Sequence, residues 1–322
     1  MLPEQAVLSG RRPHRRERQH HSSGGPGLTP RVHRIEGMRR SGIIRERRIP
    51  SDKSAELAQV LASLIDFSQI TRIVEVGCGR GRLAIRLAGL VGAHGHVVGL
   101  DASKEVLGLA ARDARAARVS NLTFEVGDAR DLRLPDGAAD LVICSSLLCS
   151  LKEVDAVVRE MLRITRKGGV LVIAEPGGEQ LCHDPDSRRF TYLSAKLNGA
   201  FVRGWGRRGV DQHVGLRVPG ILLRHGVKEI AAEVVCQVFL MSDPRRTLED
   251  VEGQLKTEST GLPESTMALV SRGGMKRKEV EQHQAMARRR LAGLKSSPKG
   301  VRQSGYVRVT SPLLVYAGRV PE

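Results

Sequence analysis

An apolar run, Ile73-Val74-Glu75-Val76, passes into Gly77-Cys78-Gly79-Arg80-Gly81 and then into Arg82-Leu83-Ala84, where a helical pattern begins. Three glycines at alternate positions after a strand specify a tight turn in which a ligand can lie against bare backbone. The helix that follows offers unpaired N–H groups and the positive end of its dipole. A strand–turn–helix unit of this kind, with an apolar strand on both faces, buries its surface only within a parallel sheet covered by helices.

The sequence around it repeats that alternation. Ser51-Asp52-Lys53-Ser54 can cap a helix running to about Ile65, with Leu57, Val60, Leu61 and Leu64 at helical spacing. Strands are predicted at 72–77, 96–101, 122–126, 139–144 and 169–175, and helices near 81–91, 103–117 and 152–166. The βαβα order and right-handed crossovers give an α/β, doubly wound, mostly parallel sheet. Segments 229–240 and 306–317 read as two further strands, an antiparallel pair at the edge of what is then a seven-stranded sheet. Between and before them lie helical stretches. One opens at Asp184-Pro185, with Asp184 as N-cap and Phe190, Leu193, Leu197 and Phe201 on its apolar face. A short one spans Leu216 to His225, and 245–295 is mostly helical, polar and basic.

The glycine spacing selects among ligands. A dinucleotide turn, G-x-G-x-x-G counted from Gly77, needs its third glycine at position 82, which is Arg82. The observed G-x-G-x-G is preceded by Glu75, a carboxylate ill placed beside a pyrophosphate but suited to a ligand bearing an ammonium and a sulfonium, as S-adenosylmethionine (AdoMet) does. Asp101-Ala102 ends the second strand, and an acid there can accept from both ribose hydroxyls, with no basic residue at once following to hold a 2′-phosphate. Asp128-Ala129 ends the third strand, where Asp128 can accept from an adenine amino group. The fourth strand opens at Ser145-Ser146 beside the same crevice. Taken singly, a glycine turn often marks only a strand–helix junction, Asp101 can be an N-cap and Asp128 a turn residue. It is their order at successive strand ends that points to a nucleoside site.

On these residues, segment 71–176 resembles the Rossmann-like core of the class I AdoMet-dependent methyltransferases, in the style of the ubiquinone and menaquinone biosynthesis (methyltransferase type 11) group. Met161 to Ile173, with Gly168-Gly169 between helix and strand, resembles that family's last helix–strand unit. The resemblance implies AdoMet as cofactor and no metal ligand. Glu75, Gly77, Cys78, Gly79 and Gly81 would hold the methionine part, Asp101 with Ala102 the ribose, Asp128 with Ala129 the adenine, and Ser145 would lie near the reacting methyl. It divides the chain into a basic tail (1–50), an AdoMet-binding core (51–180) and a C-terminal part (181–322) that completes the sheet and carries a helical acceptor-binding cap, about 181–227 and 245–300.

The acceptor is less legible. Gly204-Trp205-Gly206-Arg207-Arg208-Gly209-Val210-Asp211-Gln212-His213 gathers the single Trp, a run of charge and a histidine in one loop. His213 or Asp211 can serve as base, needed only where the acceptor must lose a proton, and Arg207 and Arg208 can hold an anionic acceptor. The alternative is a connecting loop with solvated charges. His183 is a further candidate base. The loop Cys144 to Cys149 lacks the prolines typical of base-amino methylation and no Pro-Cys is present, so Cys144 and Cys149 read as small core residues.

Aromatics are only 3% of the chain, so the core is built from Leu, Val, Ile and Ala. The net charge of +17 resides in 1–48 (twelve Arg, four Glu) and 272–308 (eleven Lys and Arg, two Glu). Charge of this kind concerns anionic partners, not fold. RNA is possible through either segment, yet the second lacks interleaved aromatics for stacking and reads as a solvated helical face. The Arg-rich start, with Ser22-Ser23-Gly24-Gly25 after it, reads as disorder. A basic arm, or translation from Met38, are its alternatives. Five scattered cysteines, no apolar run near 18 residues and no apolar leader core suggest a cytoplasmic protein with no membrane span. Small-metabolite methyl transfer is the leading expectation, RNA or protein methylation the second, and a non-catalytic AdoMet- or RNA-binding subunit the third.

Overall fold

The computed structural model describes residues 53–322. The tail 1–50 and the Ser51-Asp52 cap lie outside the described residues. From the N-terminal side, α1 (Lys53–Leu64), β1 (Arg72–Val76), α2 (Arg82–Val91), β2 (His96–Asp101), α3 (Lys104–Ala116), β3 (Leu122–Val126), β4 (Ala139–Ser145), α4 (Val154–Ile164) and β5 (Thr165–Pro176) follow the predicted alternation. Then come β6 (Leu181–His183), α5 (Arg188–Gly206), α6 (Val218–Arg224), β7 (Lys228–Val235), β8 (Val238–Leu240), α7 (Leu248–Ser259), α8 (Glu264–Arg272), α9 (Arg277–Ser296), α10 (Pro298–Arg302), β9 (Val307–Val309) and β10 (Leu313–Arg319).

Seven strands form one sheet in the order β3-β2-β1-β4-β5-β10-β7. β1 to β5 pair in parallel, whereas β10 runs antiparallel to both β5 and β7. The antiparallel pair expected at the edge is thus present, with β10 inserted between β5 and the outermost β7. The chain reverses direction across the sheet at β1, and the open ends of β1, β2 and β4 meet there, where ligands of doubly wound sheets bind.

The central strands are apolar on both faces because each face has its own helical layer. Ile73, Leu141, Ile143 and Val172 pack with Leu57, Leu61, Leu83 and Leu87 of α1 and α2. Their neighbours one residue on, Val74, Val142, Cys144 and Ile173, pack with Val157, Met161, Val218 and Leu222 of α4 and α6. This is the two-residue period of a strand expressed as two cores. Each fully buried Leu or Ile contributes about 1.5–3 kcal/mol by leaving water. α6 therefore belongs to the sheet's lower layer, although the sequence places its segment in the cap.

The C-terminal half departs from expectation in one instructive way. Segments 229–240 and 306–317 each read as one strand, but each is two. β7 and β10 lie in the large sheet, while β8 and β9 join β6 in a separate three-stranded antiparallel sheet, ordered β6-β9-β8. Both segments change sheet at the same level. There Thr310 N donates to Gln237 O at 2.9 Å and Gln237 N to Thr310 Oγ1 at 3.0 Å, and Pro312 follows without a donor of its own. The small sheet and α5, α7, α8 and α9 enclose two further apolar clusters, one around Phe190, Phe239, Leu255 and Tyr306, the other around Leu193, Met267, Val270 and Val280. Asp184 does not cap α5 as the sequence suggested. Ser187 does, through Phe190 N at 3.1 Å, and Asp184 is instead buried against Arg290 of α9.

At the opposite, N-terminal ends of the central strands, Asp140 ties β1 to β4. Its Oδ2 accepts from Thr71 N, Thr71 Oγ1 and Arg72 N at 2.8–2.9 Å, and its Oδ1 from Arg166 Nε at 2.7 Å. Burial pushes this carboxyl upward, but the four donors outweigh it and hold the pKa at about 2. A folded-state pKa below the unfolded value stabilises fully above about pH 4, and that stabilisation is lost as the pH falls toward 2. Asp140→Asn is accordingly expected to lower Tm at pH 7 by several degrees and to lose most of that deficit against wild type at pH 2.5. Parallel melting curves with an undiminished deficit at low pH would exclude this linkage.

Candidate functional site

The predicted turn after β1 is built by hydrogen bonds from β2. Gly77 N and Cys78 N both donate to Leu100 O at 2.8 Å, and Gly81 N closes the turn on Cys78 O at 2.9 Å. Gly79 has φ of 53° and Gly81 φ of 69°, a region costly for any residue with a Cβ. The two serve different ends. A Cβ on Gly81 would sit 2.5 Å from the ring of Phe124, so this glycine lets the turn pack on β3, whereas a Cβ on Gly79 would meet nothing within 4 Å. Gly79 thus presents bare backbone to open space. Cys78 is buried, and both its N–H and C=O are engaged in the turn.

Asp101 links this turn to β2. Its Oδ2 accepts from Gly79 N at 2.9 Å and its Oδ1 from Ser103 N at 2.9 Å. It is not the N-cap of α3, a role taken by Ser103 with Val106 N. Each carboxylate oxygen retains a second lone pair, and the group is half-exposed, with Ala102 exposed beside it.

Glu75 lies one turn lower and is only 3% exposed. Burial raises its pKa to about 8, opposed by the Ala84 backbone N–H at the start of α2 and reinforced by the charge of Asp101. Its Oε2 has no hydrogen-bond partner among the described residues. A buried carboxyl oxygen without a donor costs free energy. A cationic or N–H-bearing ligand group above the glycine turn is what would recover it.

At the end of β3, Asp128 is exposed and gripped by Arg130, whose Nε and Nη2 reach Oδ1 and Oδ2 at 3.0 and 2.7 Å and whose backbone N donates to Oδ1 at 2.9 Å. These bonds to Arg130 hold the Asp128 pKa at about 2. Arg130, which the sequence did not single out, thus fixes the orientation of the expected adenine acceptor. Ala129 packs against the lower core beside it. Ser145 ends β4 half-buried. Ser146 follows at φ of 54°, unusual for a residue with a Cβ, and its N donates to Ala174 O at 2.9 Å.

Glu175, also missed in the sequence, is 0% exposed at the end of β5. Its Oε1 accepts from Leu147 N at 2.8 Å and Leu148 N at 2.7 Å, and its Oε2 from Cys149 N at 3.2 Å. One carboxylate thereby shapes the whole loop after β4. Burial raises its pKa and the three N–H donors oppose that rise. Cys144 and Cys149 are buried in the same core, with burial pushing both thiols up, Cys149 to about 12. They are packing residues, not nucleophiles.

The loop 207–217 divides. Gln212 Nε2 donates to Cys149 O, which brings Asp211 and His213 beside the β4 loop. Asp211 accepts from His213 N at 2.9 Å and pairs with Arg217 at 3.3 Å. His213 Nε2 is buried with no partner among the described residues. Arg207 turns away to Arg272 O, and Arg208 lies over the Trp205 ring, 5.6 Å from its centroid. These two are therefore not an anion clamp at the crevice: a helix-end carbonyl and an aromatic face occupy them. His183 lies exposed on β6 in the small sheet.

Strand order, glycine turn and acid at the end of β2 together define the Rossmann-like fold of the class I AdoMet-dependent methyltransferases. Residues 68–201 match the family model described as a methyltransferase domain. A 37.1 kDa protein in transposon TN4556 of Streptomyces fradiae is 30% identical over 179 residues, 53% of this chain and 51% of that protein. The demethylmenaquinone methyltransferase of Geobacillus kaustophilus is 35% identical over 104 residues, 32% of this chain and 44% of that protein. The chain thus spans about half the length of the curated relatives it matches, and its similarity lies with the ubiquinone/menaquinone-like group. Among solved structures, the YcgJ protein from Bacillus subtilis aligns at TM-score 0.48 and 15% identity over 84% of this chain and 98% of that one. Among the described residues no helix is long and apolar enough to cross a membrane.

Proposed function

We propose that this chain transfers a methyl group from AdoMet to a small-molecule acceptor. The observation that carries the reading is the joined set at the tips of β1 and β2: an open backbone at Gly79, Asp101 bonded to it, and a buried Glu75 with an unpaired oxygen. These fit the cofactor's three kinds of polar group. Asp101 would hold the ribose hydroxyls, the open glycine turn with Glu75 beneath it the methionine end, and Asp128 with Ala129 the adenine. When bound, AdoMet supplies a methyl on a sulfonium, a group that a nucleophile displaces in line. The chain's own part is to position the acceptor and keep water out. Ser145 and the Glu175-held loop frame the reacting side, and His213 and Asp211 stand there for an acceptor that must lose a proton. The unpaired His213 Nε2 favours His213 over Asp211, whose carboxylate is already engaged. Five free cysteines among the described residues support a cytoplasmic setting. Labelled methyl from AdoMet, offered with metabolite, RNA and protein fractions, is expected to appear in the metabolite fraction. Label in RNA or protein instead would overturn the acceptor class, and no transfer with saturable cofactor binding would leave a binding subunit.

The Glu75 carboxyl gives this reading a pH signature. It is protonated below about pH 8 in the folded protein, so seating an ammonium near it releases a proton. Affinity for S-adenosylhomocysteine is therefore expected to rise several-fold from pH 6 to 8. Glu75→Gln is expected to flatten that rise in calorimetric titrations. A slope unchanged by the substitution would assign the proton elsewhere.

A further inference from the structure

The helical cap contains a cavity of about 340 Å³ of its own, between α5, α7, α8, α9 and the small sheet. Its apolar wall includes Leu197, Phe201 and Val270. Its polar wall is a network whose charges cancel. Glu258 Oε1 accepts from Tyr306 Oη, from Arg308 Nη1 at 3.2 Å and from Gln254 Nε2 at 2.8 Å, while Arg308 Nη2 donates to Gln180. His283, only 6% exposed, meets Ser194 Oγ at 2.9 Å through Nε2, and burial lowers its pKa toward the neutral form. Three atoms of this network are buried without partners among the described residues: Glu258 Oε2, Arg308 Nε and His283 Nδ1. The space is of small-ligand size. Polar side chains in the lining, Gln180, Asn198, Gln284 and Arg308 among them, disfavour a purely apolar guest, and the closed Arg308–Glu258 pair disfavours a charged one, whose burial would go uncompensated.

We propose that this cavity is a binding site for an uncharged molecule with an apolar body and a hydroxyl group, which lies against the polar side of the lining formed by Gln180, Asn198, Gln284 and Arg308. The site is independent of the cofactor reading, because its residues lie outside the glycine turn and the strand tips. The full chain is titrated with 2-naphthol, naphthalene-2-carboxylate and 2-naphthylmethylammonium by calorimetry or ligand-observed NMR, with S-adenosylhomocysteine binding followed in parallel. Saturable binding of 2-naphthol, at least tenfold tighter than either ion, is expected. Thr266→Trp, which fills the cavity from α8, is expected to weaken 2-naphthol at least tenfold while leaving S-adenosylhomocysteine within twofold. Glu258→Gln leaves Arg308 without its counter-charge, so the preference is expected to turn toward the carboxylate. A structural role alone would not produce that reversal. No saturable binding of 2-naphthol to the wild type, equal binding of all three probes, or indifference to Thr266→Trp would each overturn the proposal and leave the cavity to water.

Discussion

Asp101→Ala is expected to raise the Kd for S-adenosylhomocysteine about a hundredfold to ten-thousandfold. The side chain would make two charge-assisted hydrogen bonds to ribose hydroxyls, each worth about 1.5–3 kcal/mol, and about 1.4 kcal/mol corresponds to tenfold in affinity. Its loss also frees the turn, because Asp101 Oδ2 is what holds Gly79 N, and Oδ1 what holds Ser103 N ahead of α3. Asp101→Asn keeps the size and one acceptor oxygen but must turn an NH2 toward a backbone N–H or a ribose hydroxyl, so a smaller loss of about tenfold is expected. Calorimetric titration measures both, and thermal melting controls for folding. The turn is half-exposed and its freed N–H groups can reach water, so Tm is expected to fall by only a few degrees. An affinity within threefold of wild type, in protein that melts normally, would remove Asp101 from the ribose and with it the main support for a nucleoside at this crevice.

That result tests the part of the molecule most legible in the sequence. The strands β1, β2, β4 and β5 could be read because strands buried on both faces are apolar at every position. Their tips could be read because the glycines and acids sit where that pattern stops. Glu75 and Gly79 are close neighbours in sequence and Asp101 ends the very next strand, so the order of the elements predicts their spatial order. Legibility failed where a role depends on distant partners. Asp128 was visible but Arg130 was not, since a residue two positions on in a turn leaves no periodic trace. β8 and β9 are only three residues long, too short to show alternation. The point where both long strands change sheet is set by Gln237 and Thr310 meeting 73 positions apart in sequence. Arg207 and Arg208 looked like free cations because their partners, Arg272 O and the Trp205 ring, are products of the folded cap.

Glu175→Leu is the substitution expected to destabilise the fold most. In the sequence Glu175 is one acid at the end of an apolar strand, before Pro176, and nothing nearby asks for a carboxylate. In the fold it is fully buried and serves Leu147, Leu148 and Cys149, three successive backbone N–H groups 26–28 residues earlier. Leucine fills the same space but leaves those donors buried and unpaired, at about 1–3 kcal/mol each, less whatever the loop recovers by opening to water. A net loss of roughly 3–5 kcal/mol follows, and at about 2–4 °C per kcal/mol for a domain of this size Tm is expected to fall by about 6–20 °C. Glu175→Gln retains one oxygen for Leu147 and Leu148 but sets an NH2 against Cys149 N, so roughly half that fall is expected. The loop these bonds hold also carries Ser145 and Ser146 at the end of β4 and, through Cys149 O, the Gln212 side chain that seats His213. Loosening it is therefore expected to reduce methyl transfer more than S-adenosylhomocysteine binding, since Gly79 and Asp101 stand on other strands. Melting curves for the two variants against wild type decide the first point. A Tm within about 2 °C for Glu175→Leu would mean that the three N–H groups find other partners, and that the loop is shaped by packing of Leu148 and Cys149 rather than by this carboxylate.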